Sequence, residues 1–129
     1  MKKENFKNFD LLSPKFEREN IQLGLSRVKK ALEELNDPCK NIPAIQIIGT
    51  NGKGSITAFI ENILYTEKKN IGVTTSPHLL DICERIRVNK ENINKEEFEG
   101  LFKKIENDLS THKLSPFELI LCCALVYFD

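Results

Sequence analysis

The chain has 129 residues, of which 40% are hydrophobic and 29% are charged, as is typical of a globular protein and not of a disordered one. Lys and Arg together number 19, as do Asp and Glu, so the formal net charge is zero and no nucleic-acid or anionic-membrane partner is expected. No apolar run could span a bilayer and residues 1–6 lack the apolar core of a secretory signal, so we expect a cytoplasmic protein.

The first predicted element is an amphipathic helix. Apolar residues recur at helical spacing from Ile21 to Leu35, and the pattern ends near the sequence Asn-Asp-Pro at 36–38. The four cysteines, at positions 39, 83, 122 and 123, show no spacing typical of a metal site. Because adjacent residues on a helix point about 100° apart, Cys122 and Cys123 are poorly placed to share a metal. We therefore interpret the cysteines as thiols that fill the core.

The next three elements predict an α/β core. The apolar run at residues 44–48 predicts a buried strand, and residues 56–64 predict a helix that ends at 67–70. Residues 71–75 predict a second strand, parallel to the first. Strand, helix and strand would then form one right-handed βαβ unit.

The remaining elements are a hairpin and two helices. Residues 85–88 and the turn at 89–92 predict the hairpin. Asn94 with Glu97 resembles a capping box that opens one helix, and Ser115 with Glu118 resembles another that opens an apolar helix over residues 119–128. This last helix is apolar nearly all round, so it is expected to have neighbours on several sides.

A glycine-rich turn lies between the first predicted strand and its helix. Glycines allow positive φ and a close approach of the backbone to phosphate oxygens, and the N–H groups at a helix start point at an anion. A lysine adds a mobile charge for the outer phosphates, and a serine adds a hydroxyl for phosphate or Mg²⁺. The turn consists of Gly49, Thr50, Asn51, Gly52, Lys53, Gly54 and Ser55.

The turn departs from the common phosphate-loop pattern G-x-x-x-x-G-K-[ST] at two positions. The leading glycine would fall at Ile47, and Gly54 follows the lysine, so that the hydroxyl residue is delayed to Ser55. A chance βα turn that needs small residues is the alternative interpretation. The strand-then-helix context and the lysine inside the turn favour a phosphate site.

These residues carry a resemblance to a known family. The turn resembles the ATP-binding loop of the Mur ligase superfamily. The sequence Thr-Ser-Pro-His-Leu at 75–79, followed by Glu-Arg-Ile-Arg-Val-Asn at 84–89, resembles folylpolyglutamate synthase and the bifunctional dihydrofolate synthase. Residues 23–28 and 115–118 match the same family in order, so the resemblance extends from about Ile21 to Phe128.

The resemblance implies a P-loop-type βαβ core with flanking helices, the N-terminal portion of a Mur ligase-like ATP-binding domain. The implied enzyme is an ATP-dependent ligase that joins L-glutamate to a folate, or to dihydropteroate, through an acyl phosphate. It would use ATP and Mg²⁺, with Lys53 as the catalytic residue that neutralises the β- and γ-phosphates. Ser76 is implied as a Mg²⁺ ligand, with the Ser55 hydroxyl as a second. From the residues alone, the favoured interpretation is that Ser76 and Pro77 end a strand and start a turn, and it is the resemblance that favours a metal ligand.

The pterin of the substrate is implied to bind at the segment Ser115, Pro116, Phe117 and Glu118. An aromatic ring could stack on the heterocycle and a carboxylate could accept its N–H groups. The alternative is that Glu118 only caps a helix and Phe117 only fills the core. Arg85 and Arg87 could orient a carboxylate-rich substrate or form the solvated face of a strand. His78 is assigned no catalytic role.

The sequence also predicts that the chain, 1–129, is part of a domain. One pair of parallel strands is too few for a sheet, and the family continues with further Mg²⁺ ligands and a second domain. We therefore expect an N-terminal fragment that is inactive alone, from an enzyme that is monomeric when complete. Two alternatives stay open: a peptidoglycan-type Mur ligase, and a truncated product that binds nucleotide without catalysis.

Overall fold

The computed structural model describes residues 24–129, so the predictions made for residues before Gly24, including Ile21, lie outside the described part. Among residues 24–129, no helix is both long and apolar enough to cross a membrane. The described helices and strands are, in chain order, α1 (Ser26–Glu34), α2 (Lys53–Thr66), β1 (Gly72–Thr74), β2 (Ile86–Val88), β3 (Glu91–Asn92), α3 (Lys95–Asp108) and α4 (Pro116–Phe128). Short 3₁₀ helices occupy Ile82–Arg85 and Ser110–His112.

The three strands form one small antiparallel sheet in the order β1-β2-β3. Val73 pairs with Arg87 between β1 and β2, and Val88 pairs with Glu91 between β2 and β3. Asn89 and Lys90 connect β2 to β3 with φ of 51° and 73°, the left-handed conformation that a two-residue hairpin turn requires. The predicted hairpin is therefore confirmed.

The strand predicted at residues 44–48 is wrong for the described structure. These residues have no regular secondary structure and belong to no sheet, and Ile45 and Ile48 are 65% and 83% exposed. A strand requires a hydrogen-bonded neighbour, and within residues 24–129 none lies beside this segment. The parallel βαβ unit is consequently not formed, because β1 pairs only with β2, and that pairing is antiparallel.

The helices α3 and α4 begin at the residues whose side chains cap them. The Asn94 side chain accepts a hydrogen bond from the Glu97 N–H at 2.8 Å. At α4 the capping box is complete, because Ser115 Oγ accepts from the Glu118 N–H at 3.3 Å and Glu118 Oε2 accepts from the Ser115 N–H at 2.7 Å. These local contacts explain why both helix starts are readable in the sequence.

The core lies between α1, the sheet, α3 and α4. The Phe98 and Phe102 rings of α3 stack with centroids 5.9 Å apart, and both residues are buried. Cys122 and Cys123 are completely buried on α4, where burial raises the pKa of the thiols to about 11 and about 12. Burial also raises the pKa of the Cys83 thiol to about 12, which confirms these three cysteines as core residues.

The helix α2 is attached to the rest of the structure differently. Its one buried residue is Glu61, whose Oε2 accepts from Arg87 of β2 at 2.6 Å. Nearer its C-terminal end, Lys90 donates to Asn62 and lies over the Tyr65 ring, 4.7 Å from its centroid. Contacts with two basic side chains, Arg87 of the central strand β2 and Lys90 of the turn after it, therefore hold this helix.

Candidate phosphate-binding site

The glycine-rich turn has the backbone conformation that its glycines allow. Gly49 has a φ of 148°, and Gly52 has a φ of 75° with a ψ of 0°, in the left-handed region. Gly52 is also the N-cap residue of α2, directly before the first helical residue, Lys53. Side chains rarely adopt such φ values, so both positions favour glycine.

The N-terminus of α2 is exposed and uncapped. Among the described residues no side chain caps Gly52, whereas Asn94 and Ser115 cap α3 and α4. The first hydrogen bond of α2 runs from the Ile56 N–H to the Gly52 carbonyl, so the N–H groups of residues 53–55 lack an acceptor within the helix. Three N–H donors at the positive end of a helix dipole form a suitable surface for an anion.

The Lys53 side chain folds back over the turn. Its Nζ donates to the Gly49 carbonyl at 2.7 Å and to the Thr50 carbonyl at 3.2 Å. An ammonium group has three N–H donors, so one is left for an anion beside the turn. The contacts hold a positive charge next to the helix N-terminus, as the sequence predicts for a phosphate site.

Gly54 and Ser55 lie within the first turn of α2. A Cβ added at Gly54 would meet no heavy atom within 4 Å, so the protein itself does not require a glycine there. Ser55 is exposed, and its hydroxyl makes no hydrogen bond with the part of the chain that the structure describes. Both residues leave open space in front of the turn, which a ligand of some size could fill.

Ser76 lies two residues beyond the end of β1 and is exposed. The order of contacts between α2 and the sheet indicates that β1 runs toward the N-terminal end of α2, where the glycine-rich turn lies. Lys90, beside the start of β1, contacts Asn62 and Tyr65, whereas Arg87, which pairs with Val73, contacts Glu61. From Glu61, α2 extends about 12 Å to Lys53. Val73 of β1 pairs with Arg87, and from Val73 the chain extends about 10 Å in the same direction to Ser76.

The loop that carries Ser76 is held by residues on its C-terminal side. Glu84 accepts hydrogen bonds from the N–H groups of Leu79, Leu80 and Asp81 at 2.8, 2.9 and 2.9 Å. The bonds from the backbone N–H groups of Leu79 and Asp81 hold the pKa of Glu84 below its usual range. The loop is therefore bound to an ionised carboxylate.

His78 in this loop contacts a buried arginine. The Arg85 Nε donates to His78 Nδ1 at 2.9 Å, and Arg85 is 9% exposed. Burial, with the nearby Arg85 charge, lowers the pKa of His78, so the ring is neutral at pH 7. Because Nδ1 accepts this bond, the ring proton lies on Nε2.

The segment predicted to contact the pterin begins α4. Glu118 is buried, and both its carboxylate oxygens lie 3.3 Å from the Arg27 guanidinium. Burial alone would raise the pKa of Glu118, but hydrogen bonds from Ser115 and the Arg27 charge outweigh it and lower the pKa. Phe117 is 56% exposed and contributes little to the core. Glu118 thus has the capping role that the sequence left open, and Phe117 does not fill the core.

Arg85 and Arg87 do not form the solvated face that the alternation in the strand suggests. Arg85 is buried and contacts His78, and the half-buried Arg87 contacts the buried Glu61. That the two arginines orient a carboxylate-rich substrate stays a prediction. The signal in the sequence for the Arg87 contact is a glutamate among the mostly apolar residues 56–64, at position 61, because a buried carboxylate requires a partner.

In the described residues, no three His, Cys, Asp or Glu side chains are grouped as a metal cluster. Ser55, in the first turn of α2, and Ser76, in the loop after β1, have exposed hydroxyls, and neither forms a hydrogen bond within residues 24–129. Mg²⁺ prefers oxygen ligands and keeps several waters, so two free hydroxyls beside phosphates fit this ion.

Comparisons with known proteins identify the family. Dihydrofolate synthetase of Saccharomyces cerevisiae is 36% identical over 110 residues, which cover 84% of this chain and 26% of the yeast protein. Dihydrofolate synthase/folylpolyglutamate synthase of Bacillus subtilis is 34% identical over 114 residues, with the same two coverages. This chain belongs to the folylpolyglutamate synthase/dihydrofolate synthase family. It spans about a quarter of the length of the curated relatives that it matches.

A solved structure of the folylpolyglutamate synthase/dihydrofolate synthase family agrees with this result. The bifunctional enzyme of Yersinia pestis, complexed with AMPPNP and a Mn ion, is 33% identical and aligns with a TM-score of 0.83. The alignment covers 98% of this chain and 31% of the Yersinia chain. A search of protein-family profiles finds no match. The α/β class with a small sheet and flanking helices is thereby confirmed.

Proposed function

We propose that this chain provides the ATP-binding part of a ligase that joins L-glutamate to a folate. The observation that carries the proposal is the uncapped N-terminus of α2, preceded by the glycine-rich turn and accompanied by Lys53. A nucleotide fits this place, because the turn offers backbone N–H donors and a lysine and has no carboxylate within it. The Yersinia relative holds AMPPNP and Mn, which supports ATP with a divalent ion such as Mg²⁺.

Residues 49–55 would hold the β- and γ-phosphates. The backbone N–H groups of residues 53–55 would bind phosphate oxygens, and the Lys53 amine would exchange its carbonyl contacts for the phosphates. The hydroxyls of Ser76 and Ser55 would contact Mg²⁺ from the same end of α2. The ion, when bound, neutralises phosphate charge, and the protein provides two neutral oxygen ligands.

The reaction must activate a carboxylate, because a carboxylate oxygen is a poor leaving group. In the proposed sequence, the γ-phosphoryl group of ATP moves to the folate carboxylate and gives ADP and an acyl phosphate. The amino group of glutamate then attacks the acyl carbon, the C–O bond to phosphate breaks, and phosphate leaves as the amide forms. Such steps depend mostly on positioning and on neutralised charge, and Lys53 would act in both ways.

The pterin-binding proposal now centres on Phe117. Its ring is more than half exposed and could stack on a flat heterocycle, whereas Glu118 is already bound by Arg27 and by its own capping box. Ser115 and Pro116 would contribute by fixing the start of α4. The chemistry of this segment suits folate and dihydropteroate equally, because both contain the pterin ring.

We also propose that residues 1–129 form part of a larger ATP-binding domain and are inactive alone. The backbone groups of residues 44–48 make no hydrogen bond within residues 24–129, and α2 exposes a row of apolar side chains at Ile56, Phe59 and Ile63. A monomeric protein seldom leaves such surface open to water. Further strands beside residues 44–48 would satisfy the backbone and cover this face.

A chimeric enzyme tests the proposed activity. In it, this chain replaces the matched segment of the Bacillus subtilis relative, and phosphate release from ATP is measured with L-glutamate and either a reduced folate or dihydropteroate. We expect activity that needs ATP, glutamate and one of these acceptors, and none from the 129-residue chain alone. The two acceptors separate folylpolyglutamate synthesis from dihydrofolate synthesis.

Controls distinguish the alternatives. The chimera with Lys53→Ala should be folded and inactive, while Lys69→Ala, at the far end of α2, should be as active as the parent. Activity of the 129-residue chain alone would show that it is not an incomplete part. Activity only with a peptidoglycan precursor as acceptor would support a Mur-type ligase. Nucleotide binding without turnover in the chimera would support a non-catalytic product.

A further inference from the structure

The loop that carries Ser76 is tied at several points to two consecutive residues, Glu84 and Arg85. The Glu84 carboxylate accepts three backbone N–H groups, those of residues 79–81. The Arg85 guanidinium contacts His78, and the Arg85 carbonyl accepts from the Thr75 N–H at 3.3 Å. Ser76 therefore lies between two residues, Thr75 and His78, that are both held by the same short segment.

These contacts exceed what the 3₁₀ helix at Ile82–Arg85 needs for its own start. Its capping box uses the Asp81 side chain, which accepts from the Cys83 N–H at 2.8 Å, and one bond from the Asp81 N–H to Glu84. The two additional bonds, from Leu79 and Leu80, extend into the loop. They do not bury apolar surface, because the Leu79 and Leu80 side chains are 89% and 86% exposed. Packing of these two residues therefore does not hold the loop in place.

We propose that Glu84 is a positioning residue for the proposed reaction, which acts through the loop backbone to hold the Ser76 hydroxyl beside the phosphate site. The inference rests on the function proposed above, and it goes further by assigning a role to a side chain that touches neither nucleotide nor metal. An ionised carboxylate is suited to this role, because only it can accept three N–H groups with two oxygens. Glutamine would lose part of this capacity, since its amide nitrogen is a donor and would face another donor.

The first test measures the loop itself in the full 129-residue chain. Amide hydrogen exchange of Leu79, Leu80 and Asp81 is compared between the parent, Glu84→Gln and Glu91→Gln. Glu91 is an exposed carboxylate on β3 whose side chain makes no hydrogen bond within residues 24–129, so it serves as the control. We expect exchange at these three amides to become about tenfold faster or more in Glu84→Gln and to stay unchanged in the control. Unchanged protection in Glu84→Gln would overturn the proposal.

The second test asks whether the loop position matters for the metal. Electron paramagnetic resonance of Mn²⁺ with AMPPNP, recorded on the chimera described above, gives the affinity for the ion without any turnover. Loss of an outer partner of a metal ligand costs about tenfold or more in affinity, so Glu84→Gln should weaken Mn²⁺ binding by about tenfold. AMPPNP affinity in the absence of the ion should be unchanged. Faster exchange with unchanged Mn²⁺ affinity would show a merely structural contact.

A double variant tests whether Glu84 acts through Ser76. If it does, Ser76→Ala with Glu84→Gln should bind Mn²⁺ as weakly as Ser76→Ala alone and no more weakly. Additive losses would contradict this route. A parent chimera that binds no Mn²⁺ with AMPPNP would contradict the proposed function and, with it, the metal role of Glu84, while the exchange measurement would still decide whether Glu84 holds the loop.

Discussion

Two regions of the molecule bury their apolar residues to very different extents. In the packed region, which comprises α1, the sheet, α3 and α4, Phe98 is 2% exposed. In the loop-and-helix region, residues 42–66, Phe59 is 67% exposed and Ile48 is 83% exposed. The two regions have similar apolar sequences, so composition does not explain the difference. The presence of packing neighbours explains it, because the apolar residues of the packed region have their neighbours within residues 24–129. The apolar residues of the loop-and-helix region do not.

The comparison indicates how the proposed function is distributed. The packed region contains its own core and positions the Ser76 loop through β1 and the segment Ile82–Arg85. The loop-and-helix region holds the proposed phosphate site and is fixed mainly by the contact of Glu61 with Arg87. The proposed site for ATP would therefore belong to the part of the chain whose apolar side chains are the most exposed to solvent.

The largest expected contrast is between two phenylalanines. Phe98→Ala should lower the free energy of unfolding by about 3–5 kcal/mol, because it leaves a cavity in the core. Phe59→Ala should change it by less than about 0.5 kcal/mol, because the ring is mostly in water. Urea unfolding of both variants measures the two values. A large loss for Phe59→Ala would show that α2 is packed within this chain.

The contact between the two regions should give the next largest effect. Arg87→Ala removes two hydrogen bonds to Glu61, whose side chain is 7% exposed, and should cost about 2 kcal/mol. Lys40→Ala is the control, since the Lys40–Asp37 pair is exposed and should be worth less than about 0.5 kcal/mol. Equal losses in chemical denaturation would mean that the buried pair is not what attaches α2.

Two glycines distinguish packing from ligand binding. A Cβ at Gly72 would lie 2.5 Å from the Phe128 ring, so Gly72→Ala should destabilise the packed region by about 1–3 kcal/mol. Gly54→Ala meets open space within α2 and should leave stability unchanged or raise it by up to about 1 kcal/mol. Thermal unfolding compares the two variants. Weaker nucleotide binding by stable Gly54→Ala would locate the phosphates at the first turn of α2, and unchanged binding would place them elsewhere.

The smallest effect is a pH dependence in the packed region. The pKa of Glu118 is lower in the folded chain than its ordinary value of 4.5, so the ionised form stabilises the fold. This contribution is complete above about pH 4.5 and is lost as pH falls through the lower folded pKa. Glu118→Gln should therefore show a flatter dependence of unfolding free energy on pH below about pH 4.5. An unchanged slope would show that Glu118 does not carry the effect.

The same two regions show what could be predicted from the sequence. Local patterns were sufficient where the partners are near in sequence, as for the capping residues Asn94, Ser115 and Glu118 and for the turn at Asn89. They were insufficient where the partners are distant. Residues 44–48 have the composition of a buried strand, but a strand depends on neighbours that no local pattern contains. For the contact of Arg87 with Glu61, across 26 positions, the sequence around Glu61 indicates that a partner is needed but not which residue provides it.

The candidate site divides in the same way. The turn, its lysine and the start of α2 follow from one continuous segment, so they were predictable. The contacts that hold the Ser76 loop in place were not predictable, because they depend on how residues 75–81 fold back onto Glu84 and Arg85. Alternation in the strand suggested a solvated face for the arginines, and the buried partners on other elements override that pattern.

The most direct test of the account is nucleotide binding by the intact 129-residue chain. A fluorescent ADP is titrated into the parent, into Lys53→Ala, and into Lys69→Ala as the control. Loss of hydrogen bonds from a charged group should weaken binding by about 10- to 100-fold in Lys53→Ala, with no change in Lys69→Ala. Equal affinity for the parent and a correctly folded Lys53→Ala would contradict the claim that the turn at residues 49–55 holds the phosphates of ATP.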